Sequence, residues 1–291
     1  MNHVSQKFQL VSGNFMPLVG IGTFRVHSQH IFNVLDEALK AGYRSIDTAA
    51  VYRNEDAIGA ALKILLPKYN LKREDIFITT KLDPVENGNP EGVRRAVRNS
   101  LMALQTDYVD LYLIHWPGAG RIHANSSLNT ELRTLTWKTL VELHQQGCLK
   151  SIGVSNYNIN HLQQLFKNSD GVRPSVNQVE CHPHYRQDEL LKFCTEEGIH
   201  LQAYSSLGGS DNGALLNDST VRKISSNLNV SPARLLLKWA LQRGIGIIPK
   251  AQSANHIQDN LKLDFTIDQE SMKLLSNLPE RKYAWDPSSV N

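Results

Sequence analysis

Val109-Asp110-Leu111-Tyr112-Leu113-Ile114-His115-Trp116-Pro117 is a short apolar run that stops on an imidazole where a turn residue would be expected. Two earlier runs end in the same manner. Gly42-Tyr43-Arg44-Ser45-Ile46-Asp47-Thr48-Ala49-Ala50-Val51-Tyr52 closes on a carboxylate and a phenol, and Ile76-Phe77-Ile78-Thr79-Thr80-Lys81 closes on an ammonium. Runs this short, rich in β-branched and aromatic residues, suit parallel strands buried on both faces. If the strands are neighbours in one sheet, Asp47, Tyr52, Lys81 and His115 converge on one rim. That combination can move a proton onto an oxygen, which points to an enzyme.

Outward from these runs, strand-like segments begin near Leu18, Ser45, Ile76, Asp110, Ser151, Ser175, His200 and Ile245. Amphipathic stretches lie between them, among them Ile31–Ala41, Pro90–Leu104, Leu132–Gln146, His161–Asn168 and Asp188–Glu197. Glycine follows the periodic run at Ala41-Gly42, Gln146-Gly147 and Glu197-Gly198, as helix ends require. Ser12-Gly13-Asn14 marks a hairpin ahead of the first strand. Such alternation without a linker argues for an α/β fold with a helix-covered parallel sheet. Eight strand-helix units favour a closed (β/α)₈ TIM barrel over an open doubly wound sheet, with residues 1–291 as a single domain. An open sheet would carry a glycine-rich fingerprint after its first strand. Gly20-Ile21-Gly22-Thr23-Phe24-Arg25 begins like one, but Arg25 stands where the third glycine belongs.

A chain of 291 residues with 41% hydrophobic content can bury a large core. Its formal net charge of +3 is too mild to suggest a nucleic-acid partner, and no block of like charges suggests a membrane surface. The polar stretch Met1–Leu10 lacks the apolar core of a secretory signal. No apolar stretch approaches the roughly 18 residues needed to span a bilayer. Three scattered cysteines read as reduced thiols, so a cytoplasmic location is expected. Cys181-His182-Pro183-His184 is too crowded for a zinc site, so no metal is expected. Without heptads or a large apolar surface run, a monomer is the default.

Taken singly, each rim residue has an ordinary reading: Lys81 as an exposed strand end, Asp47 as a helix N-cap, Tyr52 as a half-buried aromatic, His115 as a core histidine. Together they match carbonyl reduction. Hydride attack on a carbonyl carbon builds negative charge on oxygen, which needs a proton donor and hydrogen-bond donors. Tyr52 serves as acid, Lys81 tunes it, Asp47 holds Lys81 charged, and His115 orients the oxygen.

These segments, with Asn54-Glu55, Asp107-Tyr108 and Ile152-Gly153-Val154-Ser155-Asn156-Tyr157, give a chain that resembles the aldo-keto reductases over essentially its whole length. The resemblance implies a barrel whose bottom is closed by an N-terminal β-hairpin, matching Gln6–Met16. It also implies NAD(P)H-dependent reduction of aldehydes and ketones without metal or flavin. By the same resemblance, Ser155, Asn156 and Gln178 bond the nicotinamide carboxamide, Tyr204 stacks on its ring, and Ser205 and Leu207 follow the pyrophosphate. An ordinary core tyrosine remains the other reading of Tyr204.

At the adenosine end the chain departs from the family pattern of Lys-Ser, four residues, Arg, then Glu-Asn. Lys250 is present, but Ala251 stands at the serine position and His256 at the arginine position, while Asp259 and Asn260 match the last pair in type. Arginine is a permanently charged fork for the 2′-phosphate, whereas imidazole carries full charge only below its pKa. NADPH is therefore expected to remain preferred, with NADH discriminated against less than is usual. Phe24 and Trp116 are expected to wall the substrate pocket, beside His115 and Tyr52. Asp83 replaces a common aromatic, and the tail after Asp268 is short. Both favour an open site for small aldehydes, aromatic aldehydes and α-dicarbonyls. Two rivals stand: a non-catalytic NAD(P)H-binding barrel acting as redox sensor, channel partner or structural protein, and a lyase using Lys81 as a Schiff base.

Overall fold

A computed structural model describes residues 6–169, 171–209 and 213–291. Met1–Ser5, which begin the polar Met1–Leu10 stretch, lie outside the described residues, as do Asp170 and Ser210–Asn212. Two short strands, β1 (Lys7–Gln9) and β2 (Phe15–Pro17), form an antiparallel hairpin. Eight parallel strands follow: β3 (Ile21–Gly22), β4 (Ser45–Asp47), β5 (Phe77–Leu82), β6 (Leu111–Ile114), β7 (Ile152–Ser155), β8 (Val176–Glu180), β9 (His200–Tyr204) and β10 (Gly246–Ile247). Each pairs with the next in sequence order.

Helices α1 (Ser28–Ala41), α2 (Glu55–Lys68), α3 (Pro90–Leu104), α4 (Leu128–Gln145), α5 (Ile159–Lys167) and α6 (Asp188–Glu196) connect successive strands. Strict alternation breaks between β9 and β10, where both α7 (Ser219–Asn227) and α8 (Pro232–Gln242) lie; α9 (Ala254–Asp259) and α10 (Gln269–Ser276) follow β10. The fold is the (β/α)₈ barrel expected from the alternation. Strands such as β6 and β8 are buried along their whole length, core on one side and helices on the other.

The barrel closes through a parallel bridge between Val19 and Ile247. Ile247 N donates to Leu18 O at 2.8 Å, Gly20 N to Ile247 O at 2.8 Å, and Gly22 N to Pro249 O at 3.1 Å. The glycines that imitate a nucleotide fingerprint belong to this seam. A Cβ on Gly22 would stand 2.8 Å from Ile248 O, and one on Gly20 would stand 2.9 Å from Ser45 Oγ. Close strand approach, and not a pyrophosphate, accounts for them.

The hairpin closes the opposite end. Leu10 and Met16 pack with Phe77, Leu111 and Val176, the first residues of β5, β6 and β8, and with Leu113. Phe8 stacks on buried His200, the first residue of β9, with ring centroids 4.3 Å apart. With that end plugged, only the C-terminal strand ends are left to carry a site.

Candidate active site

Register decides which rim side chains meet. Asp47, the last residue of β4, pairs with Thr79 of β5, and Lys81 lies two residues further along β5. Side chains alternate along a strand, so Asp47 and Lys81 project to the same side, into the barrel. Lys81 Nζ reaches Asp47 Oδ1 at 2.6 Å, Thr48 O at 2.9 Å and the Tyr52 hydroxyl at 3.4 Å. Both members of the ion pair are almost wholly buried. Tyr52 arrives from a single helical turn, Ala50–Tyr52, directly after β4. His115 follows β6, and its ring lies edge-on to Tyr52 with centroids 5.8 Å apart.

Burial alone would strip the Lys81 proton, but Asp47 and Tyr52 outweigh it and hold the ammonium above its usual range. Tyr52 is pushed upward, because burial and the Asp47 charge exceed the downward pull of Lys81. Lys81 does pull the phenol down, as its tuning role requires, but the net shift is upward. The hydroxyl keeps its proton at neutral pH, which is the state a proton donor needs. His115 is lowered to about 3 by burial, then by Lys81, so its imidazole is neutral. A neutral imidazole offers one N–H and one bare nitrogen. Its buried Nδ1 has no partner among the described residues.

Lys81 is also poorly suited to forming an imine. A nucleophilic lysine needs a lowered pKa and a free lone pair. Here the amine is charged and bonded to Asp47, Thr48 and Tyr52.

The other expected residues lie on the same rim. Ser155 and Gln178 are register partners on β7 and β8. Gln178 Nε2 bonds Asp47 Oδ2 at 2.7 Å and Gln202 Oε1 at 2.8 Å, tying the carboxylate to the neighbouring strands. Gln202 and Thr48 were not singled out in the sequence. The signal for Gln202 is a polar side chain at an inward position of an apolar strand. Ser155 Oγ donates to Gln178 O at 2.7 Å. Asn156, in the left-handed region at φ 65, donates to His115 O at 3.0 Å and accepts the Tyr204 hydroxyl at 2.7 Å. Ser205 is also left-handed, at φ 50, turning the chain off β9 toward Leu207.

Across the seam, Lys250 and His256 are exposed, Ala251 is buried, and Asn260 is buried at the end of α9. Asp259 accepts the Ser231 hydroxyl at 2.7 Å, which binds it to the start of α8. Asp83, at the position of the replaced aromatic, accepts Val85 N at 3.0 Å and caps the turn Pro84–Glu86.

Phe24 lies 5.1 Å from the Tyr52 ring and Trp116 lies 6.3 Å from His115. Trp285, from the short tail expected to leave the site open, stands edge-on to Trp116 at 4.9 Å. The rings of Phe24, Tyr52, His115, Trp116 and Trp285 form a continuous run across the rim.

Residues 18–280 match the profile described as the Aldo/keto reductase family. The chain belongs to the aldo-keto reductase family. It is 37% identical to an aldehyde reductase of Saccharomyces cerevisiae, over 96% of this chain and 92% of that protein. It is 35% identical to a methylglyoxal reductase of Escherichia coli (strain K12), over 94% of each. The crystal structure of an aldo-keto reductase from a Medee basin deep-sea metagenome library superposes with a TM-score of 0.88. That pair shares 34% identity, covering 98% of this chain and 99% of the other. Like these aldo-keto reductases, the protein is an NAD(P)H-dependent oxidoreductase acting on small carbonyl compounds.

Proposed function

We propose that the protein reduces aldehydes and ketones to alcohols with NADPH, Tyr52 giving the proton. The observation that carries this is the Lys81 ammonium, held between Asp47 at 2.6 Å and the Tyr52 hydroxyl at 3.4 Å beside a neutral His115. NADPH, when bound, supplies the hydride. As negative charge develops on the carbonyl oxygen, Tyr52 Oη–H transfers its proton there. The nearby ammonium stabilises the phenolate left behind, and Asp47 keeps that ammonium charged and fixed. The His115 N–H donates to the same oxygen and sets its direction. Such proton transfer contributes roughly 10²- to 10⁴-fold to a rate.

The donor set on β7 and β8 fits the cofactor. Ser155, Asn156 and Gln178 offer hydroxyl and amide groups of the kind a carboxamide pairs with, and the Tyr204 ring beside them suits a flat nicotinamide. Ser205 and Leu207 would flank the pyrophosphate. Lys250 and His256, both exposed, would meet the 2′-phosphate, with Asp259 and Asn260 at the adenosine end. Two relatives are named for reducing aldehydes and methylglyoxal, and the short tail and Asp83 extend the proposal to small aldehydes, aromatic aldehydes and α-dicarbonyls. The test is NADPH oxidation on adding methylglyoxal or para-nitrobenzaldehyde. Turnover is expected with both. NADPH binding without turnover of any carbonyl would favour the non-catalytic barrel.

A further inference from the structure

Glu180 ends β8 two residues beyond Gln178, and nothing in the proton-transfer machinery uses it. Its carboxylate is completely buried. A buried carboxylate needs partners for its lone pairs, and these come largely from a distant part of the chain. Lys282 Nζ donates at 2.6 Å, Tyr283 N at 2.6 Å and Ala284 N at 3.0 Å, while His182 Nε2 donates at 3.0 Å from two residues away. One side chain thus holds three consecutive residues of the tail. The next residue is Trp285, whose ring stands against Trp116 and is 51% exposed.

Beyond Trp285 the tail is held a second time. Val290 O contacts His161 Nε2 at 2.8 Å, Arg133 Nη1 donates to Asn291 O at 2.8 Å, and Asn291 N donates to Ala124 O at 2.9 Å. Trp285 therefore lies between two fixed points, edge-on to Trp116 and about half exposed.

We propose that Glu180 is a positioning residue: it pins Lys282–Ala284 and so holds Trp285 as a wall of the carbonyl site that favours flat aromatic carbonyls over small aliphatic ones. This rests on the reductase reading above. The wall is rigid because its anchor is buried and bonded through backbone as well as side-chain groups. Indole extends the ring run outward from His115, so a planar substrate entering toward Tyr52 meets Trp116 and Trp285 together. Methylglyoxal is too short to use both.

The test compares the wild type with Glu180→Gln, Lys282→Met, Lys282→Arg and Trp285→Ala. The readouts are KM and kcat for para-nitrobenzaldehyde and methylglyoxal, NADPH affinity, and hydrogen exchange at the Tyr283 and Ala284 amides. Glu180→Gln and Lys282→Met should speed that exchange and raise KM for the aromatic aldehyde roughly 2- to 10-fold, the worth of one aromatic contact. The kcat values, the methylglyoxal KM and the NADPH affinity should stay close to wild type. Trp285→Ala should reproduce the KM change and add nothing when combined with Lys282→Met. Lys282→Arg should restore the wild-type KM. Lys282 is the safeguard if Glu180→Gln fails to fold, since it lies nearer the surface. Faster exchange with unchanged KM, or equal KM changes for both carbonyls, would overturn the assignment. A wild type that reduces neither carbonyl overturns the reductase reading and this assignment together, and is recognised without any variant.

Discussion

Lys81 shows how a rim residue is committed by its neighbours. A lone buried ammonium would lose its proton, yet Asp47 and Tyr52 keep it charged. Removing one partner of a buried pair leaves the other uncompensated, at about 3–5 kcal/mol. Lys81→Met should therefore both slow reduction and lower stability by an amount of that order, read from urea unfolding. Full stability in Lys81→Met would mean that Asp47 finds another partner. If His256 meets the 2′-phosphate as proposed, His256→Arg should tighten NADPH binding and leave NADH nearly unchanged, because a fixed guanidinium fork replaces an imidazole. Fluorescence titration of both cofactors checks it, and an unchanged affinity ratio would sink the idea. These residues were legible in the sequence because each breaks a local rule, an ionisable group ending an apolar strand. Glu180 and Trp285 were not, since what they touch lies far along the chain, Lys282 for Glu180 at a separation of 102 and Trp116 for Trp285.

At the scale of elements, the strands and the Gly-terminated helices were readable from periodicity, while α2 was not singled out. Its sequence, Glu-Asp-Ala-Ile-Gly-Ala-Ala-Leu-Lys-Ile-Leu-Leu-Pro-Lys, is apolar on nearly every side, and Ile64 is 60% exposed. The polar signal that marks an amphipathic stripe is weak there. Pairs of helices between strands, such as α7 and α8, also escape a reading based on strict alternation. The barrel seam is the element most sensitive to a single methyl group. A Cβ at Gly22 would meet the Ile248 carbonyl at 2.8 Å, and backbone cannot step aside as a side-chain tip can. Gly22→Ala should cost about 1–3 kcal/mol. An unaltered urea midpoint would show that the seam is looser than these distances imply.

Over the whole molecule, buried ionisable groups set the response to acid. His161 and His200 are each lowered from 6.5 to about 4, and His115 to about 3, chiefly by burial. As pH falls from about 6.5, the unfolded chain takes up protons that the folded protein refuses, so stability declines. Glu180 adds a second loss. Burial pushes it up, but His182, Lys282 and the Tyr283 amide outweigh that and hold it at about 2, against 4.5 for a free side chain. Its contribution is complete above 4.5 and disappears as pH falls toward 2. Melting temperature should therefore drop continuously from near neutral pH downward, and a flat profile down to pH of about 4 would contradict the buried, neutral state of the histidines.

The measurement closest to the centre is carbonyl-dependent NADPH oxidation by the wild type beside Tyr52→Phe, with NADPH binding followed in both. Removing only the hydroxyl spares the packing against Phe24 and His115 while taking away the proton. Turnover in the wild type that falls at least about 10²-fold in the variant, with cofactor binding intact, is the expected result. Equal turnover in the two proteins would contradict Tyr52 as the proton donor.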